Sequence, residues 1–385
     1  MDSKVIIIGA GPYGLSTAAY LRRAGIVADV FGDPMSFWRN HMPAGMFLRS
    51  NWKASHIASP GHELSLDRYQ SGRGKAISTP IPLGDFVDYG LWYQQQVVPQ
   101  IDRRQVASVE KNGSGFGITL NDGQKLKSNR VVVATGIAPF PYRPEALENL
   151  PESHVTHSSD HKDLSRFRGK RLLIVGGGQS GLDAARILQD HEASAEVLSK
   201  ARELYWVGGH AWLHHLGLIS KCLYSGHDVG PAGISRLVGW PHLFRKLPRS
   251  WQDRISYRAI RPAGTAWMIP YLKNVLITLN VQVTSAQIMG DRVCLKLSDG
   301  TERMADHVIV ATGYRVDAKR FQFLSPELHK ALKVVRGYPV LDRGMESSVP
   351  GLHFVGKPAA WSFGPLLNFI SGTEFASTEF MRNFR

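Results

Sequence analysis

The sequence is poor in cysteine and contains no long hydrophobic run. It has 385 residues and two cysteines, Cys222 and Cys294, which lie far apart, so we expect neither a disulfide framework nor a Cys-x-x-Cys redox pair. No apolar stretch reaches the length of a membrane span. The first apolar strand begins by Val5, so we expect no signal peptide and a cytoplasmic protein.

Acidic residues are also scarce relative to basic ones. The chain has 32 Asp and Glu against 46 Lys and Arg, a formal net charge of +14. Such a field attracts anionic ligands, including nucleotides and anionic substrates. No nucleic-acid-binding module is recognisable, so nucleic acid is not an expected partner. No metal site is predicted either.

One pattern occurs twice in the chain. An apolar strand at 5–8 leads into Gly9-Ala10-Gly11-Pro12-Tyr13-Gly14, and another at 172–175 leads into Gly176-Gly177-Gly178-Gln179-Ser180-Gly181. Each copy closes with a Val/Ile-rich strand that ends in Ala-Thr-Gly, at 134–136 and at 311–313. At the same spacing before each Ala-Thr-Gly lies an Asp-Gly turn, at 122–123 and at 299–300. The repetition predicts two dinucleotide sites in one polypeptide.

Each copy is typical of the β-turn-α-β unit of a nucleotide-binding fold. The first glycine permits the tight turn, the second lets a pyrophosphate approach the backbone, and the third lets helix and strand pack closely. The helix start then offers unpaired N–H groups and partial positive charge to the phosphates. We predict an α/β fold with two Rossmann-like, doubly wound domains, with helices at 12–23 and 179–190 and strands at 4–8, 27–31, 171–175 and 195–199.

The nested order of the elements predicts that the second domain is inserted into the first. We assign 1–155 and 309–385 to the first domain and 156–308 to the second. The returning chain is expected to form a strand that ends at Gly356, followed by a helix from about Leu366 after Gly364-Pro365. Residues 203–272, rich in Trp and in Lys/Arg, have no counterpart in the first copy. They are compatible with a lid over a pocket, a homodimer surface or a membrane-surface patch.

The second strand of each copy indicates which nucleotide binds. An acid about 20 residues after the first glycine favours a free ribose 2′-hydroxyl, and a nearby cation favours a 2′-phosphate. In the first copy Asp33 follows Gly32, which suits FAD. In the second copy Ser199 is followed by Lys200 and Arg202, which suits NADPH better than NADH.

With these motifs the chain resembles the flavoproteins that bind two dinucleotides, and most of all the flavin-containing monooxygenases and amine N-hydroxylases (class B flavoprotein monooxygenases). Ala311-Thr312-Gly313-Tyr314 and Ser50-Asn51 with Lys53 add to the resemblance. Of the F-x-G-x-x-x-H monooxygenase pattern only His157 is present; the N-hydroxylase pattern keeps Asp306 and Tyr314. The segment 45–50 resembles bacterial relatives proposed as FAD-dependent urate hydroxylases.

The resemblance implies FAD, NADPH, dioxygen and a small-molecule substrate. Asn51 is expected near the flavin, where it would bond the bound NADP or the peroxide, or else simply form a turn. Trp38 and Met46 are predicted to wall the flavin, with core packing as the alternative, and Arg49, Lys53 and His56 to contact substrate or cofactor. The cofactor-binding residues are predicted to be Gly9, Gly11, Pro12, Tyr13, Gly14, Asp33, Trp38, Met46, Ala134, Thr135, Gly136, Gly176, Gly178, Gln179, Ser180, Gly181, Ser199, Lys200, Arg202, Ala311, Thr312, Gly313, Tyr314, Gly356, Gly364, Pro365 and Leu366.

The chemistry implied is insertion of one oxygen atom into a nitrogen, sulfur or heteroaromatic carbon through a flavin C4a-(hydro)peroxide. The flavin performs the difficult step, so no nucleophile–base triad is expected. An NAD(P)H-dependent reductase that feeds electrons to an acidic protein partner is the alternative, because a basic surface would dock such a partner. A regulator without turnover is disfavoured by the intact glycines of both turns.

Overall fold

The computed structural model describes residues 3–208, 225, 229–231 and 233–384, and it contains two separate parallel sheets. The strands of the first sheet are β1 (Ser3–Ile8), β2 (Ala28–Phe31), β3 (Val106–Asn112), β4 (Gly115–Leu120), β5 (Lys125–Val133) and β18 (Leu352–Phe354). In this sheet, β1 lies between β2 and β5, and β18 pairs with the other edge of β5, all in parallel. An antiparallel hairpin continues from β5 through β4 to β3.

The remaining strands are β6 (Val155–His157), β7 (Arg171–Val175), β8 (Ser194–Leu198), β9 (Trp206–Val207), β10 (Gly264–Thr265), β11 (Leu276–Thr278), β12 (Val283–Met289), β13 (Arg292–Leu297), β14 (Glu302–Ala305), β15 (His307–Val310), β16 (Val334–Val335) and β17 (Tyr338–Pro339). The second sheet repeats the arrangement of the first with five parallel strands in the order β11-β8-β7-β15-β6. An antiparallel sheet β12-β13-β14 accompanies it, as the hairpin accompanies the first sheet. Two further strand pairs, β9 with β10 and β16 with β17, are two residues long per strand.

Strand β5 belongs to both parts of the first sheet. Its first half, 125–128, pairs with β4 and alternates between exposed and more buried residues. Its last three residues are valines, all fully buried, which pair with β1 and β18. Alternation suits a sheet with one solvated face, whereas a continuous β-branched run suits a parallel strand covered on both faces. The change of pattern within one strand therefore marks where the hairpin ends and the nucleotide-binding sheet begins.

Two long helices follow the glycine turns, as predicted. The first, α1, has a proline at its first position, where no N–H is needed, and two arginines in its last turn, where the helix dipole favours cations. It packs against α12 from the end of the chain, and the hydroxyls of Ser16 and Ser377 lie 2.8 Å apart. The described α-helices are α1 (Pro12–Arg23), α2 (Ser36–Asn40), α3 (Leu66–Arg73), α4 (Leu83–Val97), α5 (Glu145–Glu148), α6 (Gln179–Asp190), α7 (Ile234–Val238), α8 (Pro241–Phe244), α9 (Arg249–Ile260), α10 (Pro326–Ala331), α11 (Ala360–Phe363) and α12 (Thr373–Met381).

The predicted fold class is confirmed, and one predicted helix is wrong. The helix expected from about Leu366 is two short 3₁₀ turns, Pro365–Asn368 and Ile370–Gly372, and the α-helix begins only at Thr373. The backbone bonds here run from residue i+3 to residue i, from Phe369 N–H to the Leu366 oxygen and from Gly372 N–H to the Phe369 oxygen, and the Tyr13 hydroxyl also binds the carbonyl oxygens of Leu367 and Phe369. The domain boundaries stay a prediction, although β18 does lie in the first sheet.

The Trp-rich segment packs against the returning part of the chain. A Cβ atom at Gly364 would lie 2.6 Å from the Phe244 ring, and the Arg249 guanidinium lies 3.1 Å from the centroid of the Trp361 ring. Trp240 and Trp251 are more than half exposed. The lid, dimer and membrane-surface roles of this segment stay predictions, and both Trp212 and Cys222 fall outside the described residues. None of the helices in the described ranges is long and apolar enough to cross a membrane.

Candidate functional site

The two Ala-Thr-Gly segments pack directly onto the first glycine of each turn. A Cβ atom at Gly9 would lie 2.5 Å from the carbonyl oxygen of Ala134, and one at Gly176 would lie 2.4 Å from that of Ala311. Both glycines have positive φ, +113° and +131°. A side chain is therefore excluded twice, by the backbone conformation and by the neighbouring carbonyl. The two motifs that recur in the sequence meet in space in each copy.

The last residue of each G-x-G-x-x-G turn must be glycine because the carbonyl oxygen of the first glycine leaves no room for a side chain. A Cβ atom at Gly14 would lie 1.9 Å from the carbonyl oxygen of Gly9, and one at Gly181 would lie 2.0 Å from that of Gly176. The backbone of each helix therefore touches the turn that precedes it. This contact aims the start of the helix at the carboxyl edge of its sheet, where ligands bind in such folds.

The middle glycines, Gly11 and Gly178, are the N-caps of the two helices, but their surroundings differ. Gly11 and Gly178 are both extended, and neither helix start has a side-chain cap. A Cβ atom at Gly11 would meet nothing within 4 Å, whereas one at Gly178 would lie 3.4 Å from Pro262. The first cradle is thus open, and the second is bordered by a residue of the Trp-rich segment. Unpaired N–H groups at an open helix start fit a phosphate group.

The threonines of the two Ala-Thr-Gly segments are not equivalent. The Thr312 hydroxyl donates to the carbonyl oxygen of Tyr142. The Thr135 hydroxyl is buried, and no described residue bonds it. A buried, unpartnered hydroxyl at the edge of the open cradle fits a polar ligand atom. Gly136 and Gly313 both have positive φ, +66° and +78°.

The ends of the second strands place the predicted ribose contacts. Asp33 follows β2 and its Oδ2 accepts from Arg39 at 2.9 Å, so an arginine shares this carboxylate. Ser199 follows β8, is buried, and would be 2.6 Å from a Cβ atom at Gly177. Lys200 and Arg202 are exposed and pair with no described carboxylate. The second copy therefore keeps two uncompensated cations where a 2′-phosphate is expected.

Tyr13 connects the first turn to the segment 356–372. Its hydroxyl donates to the carbonyl oxygen of Phe369 at 2.7 Å, and its ring would lie 3.2 Å from a Cβ atom at Gly356. Pro12, Pro365 and Leu366 are buried beside it. This packing makes Tyr13 a positioning residue for the loop, a role that the cofactor prediction did not include.

Lys357 is a cation that the sequence analysis did not single out. It directly follows Gly356, beyond the end of β18, and forms no ion pair with a described residue. Burial lowers the pKa of its ammonium group to about 8. The available signal was its position three residues after the end of β18, because ligands bind beyond the carboxyl ends of parallel strands.

A narrow cleft lies between the two folds. Met46 from the first fold and Ser180 from the second line it, together with Ser159, Asp183 and Tyr314. Burial raises the pKa of the Tyr314 hydroxyl to about 12. The predicted residues Met46, Ser180 and Tyr314 are thus brought together, although they come from three distant parts of the chain.

Asp183, on the inner face of α6, was also missed. Its Oδ2 accepts from the Gln179 amide at 2.7 Å, its Oδ1 is buried without a described hydrogen-bond partner, and burial raises the pKa of the carboxyl to about 6. Arg186, one turn later, donates to the carbonyl oxygen of Gly45 at 2.6 Å and so joins the second fold to the first. An acid on the apolar face of a predicted helix was the signal that could have found it. The Gln179 side chain is occupied by Asp183 and Thr265.

Asn51 and Trp38 have structural contacts at their predicted places. The Asn51 side-chain oxygen accepts from the backbone N–H of Ala54 at 2.9 Å and so begins a 3₁₀ turn. This is the turn-forming alternative, and the catalytic role of Asn51 stays a prediction. The Trp38 ring packs edge-on against Phe86 at 4.7 Å, which is core packing.

Cys294 does not belong to this site. It lies on β13 in the antiparallel sheet, and its thiol is 3.8 Å from the carboxylate of Glu302. Burial and that carboxylate raise the pKa of the thiol, which disfavours the reactive thiolate. Within the described part of the chain, no group of His, Cys, Asp and Glu could hold a metal ion.

Comparison with known proteins places this geometry in a family. The chain is 25% identical to the indole-3-pyruvate monooxygenase YUCCA1 of Oryza sativa subsp. japonica, over 80% of this chain and 76% of the relative. It is 25% identical to the trimethylamine monooxygenase of Pelagibacter ubique, over 69% of this chain and 68% of the relative.

A solved structure with the same fold is the ornithine N-hydroxylase of Kutzneria sp. 744, with a TM-score of 0.79 at 15% identity, over 100% of this chain and 99% of that one. The predicted resemblance to flavin-containing monooxygenases and amine N-hydroxylases is confirmed, as is the prediction of an oxidoreductase. The family model described as pyridine nucleotide-disulphide oxidoreductase matches residues 3–210, more than half of the chain. The chain therefore belongs to the pyridine nucleotide-disulphide oxidoreductase family.

Proposed function

We propose that this protein is an FAD-dependent, NADPH-consuming monooxygenase that inserts one oxygen atom of O2 into a nitrogen, sulfur or heteroaromatic carbon of a small substrate. The observation that carries the proposal is the cleft between the folds. Residues from both glycine-turn domains, among them Met46, Ser180 and Tyr314, line one space. Two nucleotides bound at the two turns would extend toward it from opposite sides.

The residues of the first copy fit FAD. The open cradle at Gly11, the buried hydroxyl of Thr135 and the cation of Lys357 suit a pyrophosphate and its attached groups. The second copy fits NADPH, with Gly178 at the helix start and Lys200 and Arg202 beside the expected 2′-phosphate. The ornithine N-hydroxylase with this fold was solved with reduced FAD and NADP+, which supports the same pair of cofactors here.

When bound, NADPH supplies a hydride and FAD supplies the reactivity toward dioxygen that amino-acid side chains lack. The chain's own residues position the rings and exclude water. Tyr13 fixes the loop 356–372 against the first helix, and Arg186 holds segment 45–47 against the second fold. Burial raises the pKa of the Asp183 carboxyl to about 6, so this group holds a proton below that pH and releases it above. The cavity between the folds has a volume of about 20 Å³ and a largely apolar lining, so little water stands at the junction of the two folds.

The relatives favour oxygen insertion over electron transfer to a protein or disulfide. The matched curated proteins include monooxygenases that act on an indole pyruvate and on trimethylamine. A disulfide substrate would require a thiol pair, and the sequence has only two cysteines, far apart. Among the described residues, Cys294 lies outside the cleft. The two distant cysteines therefore offer no thiol pair for a disulfide substrate, and the experiment below distinguishes the monooxygenase from a reductase that feeds an acidic protein partner.

Aerobic NADPH oxidation by the purified protein tests the proposal. The protein should be yellow, oxidise NADPH slowly with release of hydrogen peroxide, and oxidise it faster when an amine, thioether or heteroaromatic substrate is added. Mass spectrometry should then find one added oxygen atom in that substrate. Rapid reduction of artificial acceptors without any oxygenated product would favour the reductase. A cytoplasmic location, the absence of nucleic-acid binding and a homodimer stay predictions.

A further inference from the structure

Helix α9 of the Trp-rich segment carries two exposed aromatic rings and two exposed arginines on one side. Trp251 is 58% exposed and Tyr257 is 68% exposed. Arg254 and Arg258 are exposed as well. Positions 251, 254 and 258 are separated by three and four residues, and position 257 follows 254 by three, so a helix presents all four side chains to one side. These four residues form the α9 face.

The other side of α9 is fixed to the rest of the protein. Gln252 and Ile255 are buried, and the Gln252 amide donates to the carbonyl oxygen of Leu247 at 2.8 Å. The Arg249 guanidinium donates to the carbonyl oxygen of Trp361, in the returning part of the chain, at 2.9 Å. These contacts set the rotation of the helix and leave the α9 face turned to solvent.

Positive charge dominates the stretch that contains the α9 face. Its one acid, Asp253, accepts from Arg249 at 2.9 Å and from Arg336 at 3.1 Å, so arginines outside the face already neutralise it. In the described part of the chain, no carboxylate pairs with Arg254 or Arg258. The cations between residues 240 and 261 are Arg245, Lys246, Arg249, Arg254, Arg258 and Arg261. The α9 face thus combines exposed apolar area with positive charge that nothing described compensates.

This combination matches the surface of an anionic lipid bilayer. Trp and Tyr rings suit the headgroup region, because each has an apolar body and a polar tip. An arginine guanidinium binds phosphate oxygens through two parallel hydrogen bonds. Leu243 and Ile260, close to the face along the chain, are 46% and 40% exposed and add apolar area. Helices that lie on membranes combine the same residue types.

A second copy of the chain matches the α9 face less well. A symmetric dimer through this face would place it against itself. Arg254 and Arg258 of one protomer would then lie near the arginines of its partner, with no free acid on the face to separate them. Like charges in contact oppose association.

We propose that the α9 face binds the surface of an anionic phospholipid bilayer, with Trp251 and Tyr257 among the headgroups and Arg254 and Arg258 on the phosphates. The contact is peripheral, because the opposite side of α9 stays packed against the protein. Membrane binding by this face does not depend on the oxygen insertion proposed above.

Sedimentation of the purified holoenzyme with lipid vesicles tests the proposal. At low salt the protein should sediment with vesicles of phosphatidylcholine mixed with phosphatidylglycerol, and little should sediment with phosphatidylcholine alone. Arg254→Gln with Arg258→Gln should weaken binding to the mixed vesicles by about tenfold or more, because each cation near an anionic surface contributes roughly a fivefold factor. Trp251→Ser with Tyr257→Ser should weaken it by about tenfold or more as well, because the rings no longer bury apolar area.

Two double variants on other surfaces are the matched controls. Lys125→Gln with Lys127→Gln removes two exposed cations from β5. Val27→Ser with Met289→Ser removes two apolar side chains that are 67% and 51% exposed. Both should bind the mixed vesicles nearly as well as the unchanged protein. Every variant should keep its FAD content and its rate of NADPH oxidation in solution, since none of these residues lines the cleft.

Three other outcomes overturn the proposal. An unchanged protein that does not bind the mixed vesicles, or that binds both kinds of vesicle equally, does not recognise an anionic bilayer. Full binding by the variant without the two rings shows attraction by charge alone, which assigns the face to an acidic protein instead. A dimer found by light scattering, and dissociated by the same variant, assigns the face to a second copy of the chain.

Discussion

The carbonyl oxygen of Ala134 occupies the space beside Gly9 in which a Cβ atom would lie, at 2.5 Å. Ala311 has the same relationship to Gly176, at 2.4 Å. In each copy, the residue after one strand thus packs against the glycine turn that follows the neighbouring strand. Because the contact is between backbone atoms, no rotamer change can relieve it.

Substitution of either glycine by alanine should separate the two cofactor sites. Gly9→Ala should lower FAD content and cost at least 2 kcal/mol of unfolding free energy, because overpacking adds roughly 1–3 kcal/mol to the strain of a positive φ. Gly176→Ala should instead weaken NADPH binding and leave FAD bound. Bound flavin is measured by absorbance and stability by denaturant unfolding.

Gly84→Ala is the matched control for both glycine variants. Gly84 lies in α4, and a Cβ atom there would meet nothing within 4 Å. Because Gly84 is exposed and lies in the first turn of α4, alanine there is expected to change stability by less than about 1 kcal/mol and to leave both cofactors bound. Loss of both cofactors from Gly9→Ala and Gly176→Ala alike would contradict the assignment of one nucleotide to each turn.

Removal of the two cations after β8 should change the nucleotide preference. In a Lys200→Ala, Arg202→Ala double variant the KM for NADPH should rise by about tenfold or more, since hydrogen bonds to a charged group contribute roughly 1.5–3 kcal/mol. The KM for NADH should stay nearly constant. Steady-state oxidation of both nucleotides checks this, and an equal rise in both KM values would contradict the 2′-phosphate contact.

The buried carboxyl of Asp183 should make the protein less stable as pH rises. Its pKa is about 6 in the folded chain and 3.8 in the unfolded chain, so the folded state binds more protons between these pH values. Stability should therefore fall from about pH 4 to about pH 6, by roughly 3 kcal/mol at most. In Asp183→Asn this part of the pH dependence should vanish. Denaturant unfolding at several pH values measures it, and an unchanged profile in the variant would rule it out.

A buried histidine pair, His161 and His307, should make the protein more stable as pH rises. The Thr156 hydroxyl lies 2.6 Å from Nε2 of His161 and 2.7 Å from Nε2 of His307, whose Nδ1 donates to the carbonyl oxygen of Ser153. Nε2 of His307 therefore accepts a hydrogen bond from the Thr156 hydroxyl, and Nε2 of His161 donates a hydrogen bond to the hydroxyl oxygen. Burial lowers the pKa of both imidazoles to about 4 from 6.5.

Because the unfolded chain takes up these two protons first, the stability contributed by the pair is present above pH 6.5 and is lost as pH falls toward 4. Thr156→Val removes the shared hydroxyl and should destabilise the protein by about 1–3 kcal/mol at pH 7, with a smaller loss at pH 4. Thr156→Ser keeps the hydroxyl and is the control. Equal destabilisation by both variants would indicate that packing of the methyl group, not the hydrogen bonds, matters.

The sequence predicted the parts of the fold that depend on local chemistry. Both glycine turns, the helices after them and their strands follow from residue types at fixed spacing, and the structure has them within one residue of the predicted bounds. The predicted helix after Gly364-Pro365 is two 3₁₀ turns instead, and Tyr13, from the other end of the chain, binds the carbonyl oxygens of Leu367 and Phe369 within them. Such a contact leaves no local signal.

The sequence also predicted those parts of the candidate site that belong to a recognisable motif. Met46 and Tyr314 were singled out by motif, and they do line one cleft. Asp183 and Lys357 were not, because a charged residue becomes informative only when burial deprives it of solvent. That property depends on which elements pack around it, and a spacing rule cannot report it.

Strand β18 completes the first sheet only after nearly the whole protein has been synthesised. It pairs with β5 through residues 352–354, whereas the second sheet needs nothing beyond β15. On the ribosome, the second sheet can therefore be completed while β5 of the first sheet still has an open edge. Until β18 is synthesised, the valines at the end of β5 lack a partner strand on one side. A nascent chain that stalls between residues 310 and 352 would therefore expose an unpaired apolar strand edge, to which chaperones or other copies of the chain could bind.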